Sequence, residues 1–506
     1  MTADTPTADS SHASLLPADS KRNKPSARSL IVGFGLMVVC LIGIFTSPTV
    51  AVVGVWCVVL MIVMMLFSVP VAVALAAPSL IGVYAINGVP AAINLLSISP
   101  YNAVSSWSLS VLPMFIFMGM LLAKSGMTSR IYQATDRWFS WLPGGVGIGT
   151  TAAGAGLASV SGSTIGMTYA LGRAGIPEML RAGFDKRMAL GTVIVSGLPG
   201  NLIPPSILLV VYAGIASVPV GPQLVAGAVP GILLAALFGL FIFTVGILAP
   251  RLVGRGEKGH GTKKEVTWKL RIESLRQIWG FPILMLVLFG GMFSGMFTPT
   301  EAGAAAALVA LLLMIYYTRN DKPISKLAHA TFATVSSTAA IFFILIGAEM
   351  LTRLMATTGL AQLVTDYVTS LGLSRVGFLL LLIVLYLFMG MFFETISMMM
   401  LTIPILLPTL EVMGISPLWF GVFVVLLGEL AMITPPVGIL SYIVHNISKA
   451  PEVNIGQNIT LGDVFVAVTW FLPITILFLI IMIVFPEMTE WLPSLLERTS
   501  ARAGTQ

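Results

Sequence analysis

Two tandem prolines, Pro204-Pro205 and Pro435-Pro436, each interrupt a long apolar stretch, and they stand 231 residues apart. Proline removes a backbone donor and forces the residue before it out of α geometry, so a tandem pair breaks a helix and frees carbonyl groups. In hydrocarbon such groups go unsatisfied unless the break lines a cavity or binds a ligand. Hydrocarbon is where these breaks belong, because apolar runs of about 20 residues, long enough to cross a bilayer core, recur from residue 29 to residue 486. Only 9% of the 506 residues are charged, against about 25% in soluble domains, which excludes a soluble fold.

The pattern predicts an all-α polytopic membrane protein of about 11 transmembrane helices plus two re-entrant hairpins. Spans are expected at 29–47, 50–68, 70–87, 109–123, 187–216, 223–249, 278–297, 301–317, 329–348, 417–445 and 464–486, with interrupted hairpins at 145–178 and 376–411. Residues 1–28, polar and ending in Lys21, Arg22, Lys24 and Arg28, read as a disordered cytoplasmic tail. The next segment, 29–48, spans a whole bilayer and reads as a retained extra helix, not a cleaved signal peptide. A first half over 50–250 and a second over 277–486 flank a basic cytoplasmic loop at 251–276, and 487–506 is a polar tail.

With the N-terminus inside, 22 of the 27 Lys and Arg residues fall in cytoplasmic segments, as the positive-inside rule requires. The outer loops 88–108, 214–222 and 298–300 contain none, and Arg353 and Arg375 are the exceptions, with Glu349 or Asp366 as partners. The net charge of +6 is therefore a topology signal, and nucleic acid is not a partner. Cys40 and Cys57 lie in apolar runs and read as packing residues.

Sliding the chain against itself by 231 residues matches nine of 42 positions, including Thr164 with Thr395, Gly197 with Gly428, and the two proline pairs. The topology puts the hairpin of Thr164 on the cytoplasmic side and that of Thr395 on the outer side, so the repeats are inverted. Secondary transporters place substrate and ion sites near the midplane between such repeats, where Gly/Pro-broken helices meet. The broken segments are Ser196-Gly-Leu-Pro-Gly-Asn-Leu-Ile-Pro-Pro-Ser206 and Gly428-Glu-Leu-Ala-Met-Ile-Thr-Pro-Pro-Val-Gly438.

The candidate ion and substrate residues are therefore Ser161, Gly162, Ser163 and Thr164 at the first tip and Gly197, Gly200, Asn201, Pro204, Pro205 and Ser206 at the first break. Their counterparts are Glu394 and Thr395 at the second tip and Gly428, Glu429, Thr434, Pro435, Pro436 and Gly438 at the second break. A dehydrated Na⁺ ringed by carbonyl and hydroxyl oxygens suits such breaks, with Ser161, Ser163, Asn201, Thr395 and Thr434 nearest it. The blander readings are proline kinks that serve packing, and hydroxyls that bond back to their own helix. No cationic side chain lies at either break, so helix N-termini and hydroxyls would hold a carboxylate. Residues 128–142 and 360–373, mixed polar and apolar, read as interfacial arms that link a moving part to a frame.

At these residues the chain resembles the large membrane subunit of the tripartite ATP-independent periplasmic (TRAP) transporters, from about residue 50 to 486. The similarity rests on Ser161-Gly-Ser163, Ile203-Pro-Pro-Ser206, Phe297-Thr-Pro-Thr-Glu-Ala302 and Ile433-Thr-Pro-Pro-Val-Gly438. It implies an elevator transporter of the bacterial inner membrane, driven by Na⁺ as coupling ion, with no other cofactor. It also implies an organic acid substrate delivered by a soluble periplasmic binding protein, and a small four-helix membrane subunit, here expected as a separate chain. Gly428-Glu429-Leu-Ala431 stands where the family more often shows a neutral residue and a glycine, and Glu394 where Asp or a neutral group is frequent.

The alternatives are a stand-alone Na⁺/dicarboxylate symporter of the same superfamily and an intramembrane enzyme. Against the enzyme, His12, His260, His329 and His445 form no His-Glu-x-x-His helix, and no Gly-x-Ser-Gly motif occurs. No Gly-x-x-x-x-Gly-Lys phosphate loop supports ATP-driven pumping.

Overall fold

The computed structural model describes residues 27–254, 267–436 and 438–503. Of the tail expected at 1–28, residues 1–26 lie outside the described residues, as does the middle of the basic loop, 255–266, while Ala27 and Arg28 already belong to the first helix. Among the described residues the chain is helical, apart from an isolated bridge between Phe184 and Val253. Helices are what an apolar chain must form in lipid, where each backbone group needs a partner within its own segment.

Helices α1 (Ala27–Thr46) and α2 (Val50–Leu66) pack through Gly33 against Phe67 and Gly43 against Trp56. α3 (Val71–Ser105) changes direction at Gly88, whose φ of 76° suits only glycine, and then continues. Residues 88–108, expected as an outer loop, are thus mostly helical. Their Pro90 and Pro100 are weaker helix breakers than they look, because an apolar environment leaves the backbone no better alternative. α4 (Val111–Lys124) bends by 70° into α5 (Met127–Phe139).

The first hairpin is α6 (Gly145–Ser161) and α7 (Thr164–Arg181). A broken helix follows: α8 (Lys186–Val195), a 3₁₀ turn at Pro199–Asn201 and α9 (Ile207–Ala216). α10 (Val220–Leu248) closes the first half. α11 (Trp268–Gln277), inside the segment expected as a basic loop, bends by 46° into α12 (Gly280–Met285) and α13 (Gly291–Phe293).

In α14 (Pro299–Thr318), Thr298 and Glu301 cap each other's backbone N–H groups, which gives the Phe297–Ala302 motif a local structural reason. α15 (Pro323–Thr358) extends the span expected at 329–348 at both ends. α16 (Leu360–Ser370) leads to the second hairpin, α17 (Arg375–Met389) and α18 (Thr395–Val412). The second broken helix is α19 (Pro417–Ile433) and α20 (Ile439–Ile447), and a short α21 (Pro451–Asn454) precedes α22 (Leu461–Val484). Residues 487–503, expected as a polar tail, form α23 (Glu487–Ala503), which lies against α10.

Six helices are long and apolar enough to cross a membrane alone, or eight if each bent pair is one span, against about 11 expected. The difference is physical. The spans expected at 187–216 and 417–445 are divided at their prolines, and α1 and α2 offer shorter apolar lengths. One of the six, α18, is a hairpin arm, and two-thirds of it is buried inside the protein.

The broken helices occupy the centre. All of α8 from Met188 to Val195 and all of α19 from Trp419 to Ile433 are buried. The two halves join there: Tyr212 Oη donates to the Pro417 carbonyl at 2.6 Å and Gln223 Nε2 to the Leu418 carbonyl at 3.3 Å. Asp463, at the start of α22, accepts from Lys186 Nζ at 2.7 Å and Arg187 Nε at 3.3 Å, which fixes the entry of α8. Arg353 pairs with Glu349 at 3.1 Å, whereas Arg375 lies 5.7 Å over the Trp419 ring instead of meeting Asp366.

Candidate functional site

Small residues make the first tip possible. α6 is rich in Gly, Ala, Ser and Thr, so neighbouring backbones come close. It ends at Gly162, whose φ of 61° is a left-handed cap. Ser163 is then extended and caps α7 by accepting the Gly166 N–H at 3.2 Å. The second tip has the same form, with Glu394 extended at the cap position of α18 and Thr395 as its first residue. Both α7 and α18 therefore begin at the tips, and helix N-termini carry partial positive charge.

Each tip rests on the broken helix of its own half through a glycine at the aligned position. A Cβ on Gly197 would lie 3.0 Å from Thr164 Cγ2, and one on Gly428 would lie 2.6 Å from Thr395 Cγ2. Gly200 likewise faces the Ala155 carbonyl and the Ala158 side chain. Both Pro-Pro bonds, Pro204-Pro205 and Pro435-Pro436, are cis. Ser206 serves the first break twice: its hydroxyl donates to the Asn201 carbonyl and accepts the Leu209 N–H at 3.2 Å. At the second break Gly438 has a φ of 45°, and Ser441 donates to the Ile433 carbonyl at 3.4 Å.

Glu429 is the centre of the arrangement. Only 1% of it is exposed, and its two carboxylate oxygens serve the two tips. Thr164 Oγ1 donates to Oε2 at 2.5 Å, and Thr395 Oγ1 donates to Oε1 at 3.1 Å. Asn201 Nδ2 in turn donates to Thr164 Oγ1. A polar chain thus runs from the first break through the first tip to the second broken helix and back to the second tip. Buried carboxylates exist only with such partners.

Beside this chain is a cavity of about 90 Å³. It is lined from the first half by Ser163, Thr164, Ile165 and Asn201, and from the second by Glu394, Thr395, Ile396 and Met432, which are the same four positions under the 231-residue shift. Gly162, Leu208 and Glu429 complete the wall. The lining has two carboxyl groups and no Lys or Arg.

The structure gathers only part of the expected set here. Ser161 donates to the Ser163 carbonyl at 3.3 Å and stays off the cavity wall. Thr434 donates to the Leu430 carbonyl of its own helix at 2.8 Å and is not on the cavity wall. A Thr hydroxyl one turn above a helix carbonyl has that partner always within reach. Pro204, Pro205, Ser206, Pro435, Pro436 and Gly438 shape the breaks without lining the cavity, while Gly197, Gly200 and Gly428 admit close packing. Sequence reasoning missed Ile165, Ile396, Leu208 and Met432. The alignment of Met432 with Asn201 was the available signal.

A family model described as "Tripartite ATP-independent periplasmic transporter, DctM component" matches residues 58–488. The C4-dicarboxylate TRAP transporter large permease protein DctM of Vibrio cholerae is 28% identical over 459 residues, 87% of this chain and 97% of that one. The sialic acid TRAP transporter large permease protein SiaM of the same organism is 28% identical over 80% of this chain and 90% of its own. The ectoine TRAP transporter large permease protein TeaC of Halomonas elongata is 26% identical over 78% and 90%. Among solved structures, the Alcanivorax borkumensis YdaH transporter has a TM-score of 0.59 at 16% identity, covering 87% of this chain and 100% of that one. Neisseria gonorrhoeae MtrF has a TM-score of 0.60 at 14% identity, covering 90% and 97%. These last two are likenesses of fold.

Proposed function

From the premise that this chain belongs to the DctM family of tripartite ATP-independent periplasmic transporters, we propose that it is the large permease of a Na⁺-coupled importer of an organic acid. The observation that carries the reading is Glu429, one buried carboxylate bound by the tip threonines of both halves beside a cavity. An anion is favoured at this cavity by the N-termini of α7 and α18, which begin there. A cation is favoured by the oxygens: the Glu429 and Glu394 carboxyl groups, the threonine hydroxyls and the Asn201 side chain. Unwound backbone near such breaks supplies Na⁺ ligands in other carriers of broken-helix design. Co-binding follows from charge, since Na⁺ offsets both the substrate carboxylate and the two acids of the wall.

In this reading the hairpins and broken helices move together as an elevator between inward and outward positions. α5 and α16 are arms at the membrane interface, and the N-terminus is cytoplasmic in a bacterial inner membrane. A periplasmic binding protein delivers the substrate, and a separate four-helix subunit braces the frame.

Uptake into vesicles that contain this chain and its small subunit tests the proposal. Substrate should accumulate only with an inward Na⁺ gradient and the binding protein together. Accumulation driven by K⁺ alone sinks the Na⁺ assignment. Na⁺-driven accumulation without the binding protein identifies a stand-alone symporter instead.

A further inference from the structure

We propose that α5 and α11 together form a binding site for the phosphate headgroup of an anionic phospholipid, built on Arg137 and Arg271. The proposal is independent of which substrate the cavity takes. Both arginines bury part of the guanidinium, and Arg137 Nη1 and Arg271 Nε have no hydrogen-bond partner among the described residues. A cationic donor removed from water without an acceptor is costly, so two on adjacent helices mark a place that an anion would stabilise and that the described residues leave without one. The helices are fastened where this matters: Trp138 Nε1 donates to the Arg271 carbonyl at 3.3 Å, which sets the residue after Arg137 against the backbone of Arg271.

The charge around the pair is one-sided. α5 and α11 carry Arg130, Arg137, Lys269, Arg271 and Arg276 against Asp136 and Glu273. Arg130, two turns before Arg137 on the same face, stacks 3.9 Å over the ring of Tyr317, whose hydroxyl donates to the Gln277 carbonyl at 3.2 Å. Arg271 lies 5.0 Å over Trp268, which meets Trp138 edge-on at 6.4 Å. The cluster is thus a rigid frame of arginines and aromatics, not a row of mobile surface lysines.

A lipid fits this frame better than a free anion does. Leu270, Ile272 and Leu275 of α11 are exposed beside the arginines, and Trp141 and Trp268 are 64% and 67% exposed. Tryptophan favours the depth of the headgroups, where one end of the ring is wet and the other apolar. Phosphate oxygens accept paired N–H groups from arginine in the geometry a guanidinium offers. Basic pockets on membrane helices attract anionic headgroups in the same way.

The test uses the full-length chain in phosphatidylcholine vesicles doped with brominated phosphatidylglycerol, with brominated phosphatidylcholine as the neutral probe, and reads tryptophan quenching. The anionic probe should quench saturably and more than the neutral one. In the R137Q/R271Q variant its half-saturation should rise by about thirtyfold, the effect of two arginines at an anionic surface. R271Q alone should raise it about fivefold, and it carries the test if the double variant does not fold. R137K/R271K should keep most of the preference. Equal quenching by the two probes, or an unchanged preference in R271Q, overturns the site. Displacement of the lipid by millimolar inorganic phosphate overturns it in favour of a soluble-anion site.

Discussion

At the scale of single residues, Glu429 is where substitution is most informative. Replacing it by Gln keeps the volume but leaves an amide that accepts on one side only, so one of Thr164 and Thr395 loses its acceptor. Glu429→Gln should lower Na⁺-dependent uptake by about tenfold or more, the scale of one hydrogen bond to a charged group. Glu394→Gln should cost less, because Glu394 is only partly buried and its nearest partner, Ser397, stands at 3.5 Å. Equal uptake by wild type and Glu429→Gln at limiting Na⁺ would remove this residue from the mechanism. The sequence alone pointed to Thr164, Thr395 and Glu429 separately, as a repeat match and an acid in an apolar run. That one carboxylate serves both threonines was not legible, since pairing across 265 residues depends on how the tips pack. Thr434 makes its contact locally instead. Its local partner, the Leu430 carbonyl, was closer than any tertiary one.

Among the elements, the breaks and hairpins were legible because proline and glycine act on the backbone within a residue or two of where they stand. The outer half of α3 and the C-terminal α23 were not, because their sequences look like a loop and a tail until neighbouring helices cover one face. The aligned glycines carry the prediction that belongs here. Gly428→Ala puts a methyl group 2.6 Å from the Thr395 side chain, and Gly197→Ala puts one against Thr164 and Met167. Each should push a tip threonine away from Glu429, with an overpacking cost of about 1–3 kcal/mol. Both variants should reach the membrane in normal amounts and transport poorly, and activity should return in part when the facing threonine is shortened to Ser. Normal transport by both alanine variants would show that the tips need not rest on the broken helices.

For the whole molecule, the motion proposed for the hairpins and broken helices has a direct reporter. Cys40 and Cys57 are both buried, so a cysteine introduced at Ser163, on the cavity wall, can be followed against a quiet background. Ser163→Cys should react with a membrane-impermeant thiol reagent from one side without Na⁺ and change its rate severalfold when Na⁺ and substrate are added. An identical rate under all conditions and from both sides would rule out the elevator. The two halves align at four cavity positions, yet Leu198 stands in the first half where Glu429 stands in the second. The backbone is paired, but the charge is not, since Glu394 likewise stands in the second half where Ser163 stands in the first. In a carrier whose end states are reached by exchanging the roles of its two halves, a fully paired chain would hold those states at equal energy. An acid owned by one half removes that degeneracy, so the empty carrier has a preferred resting side even when no gradient is applied.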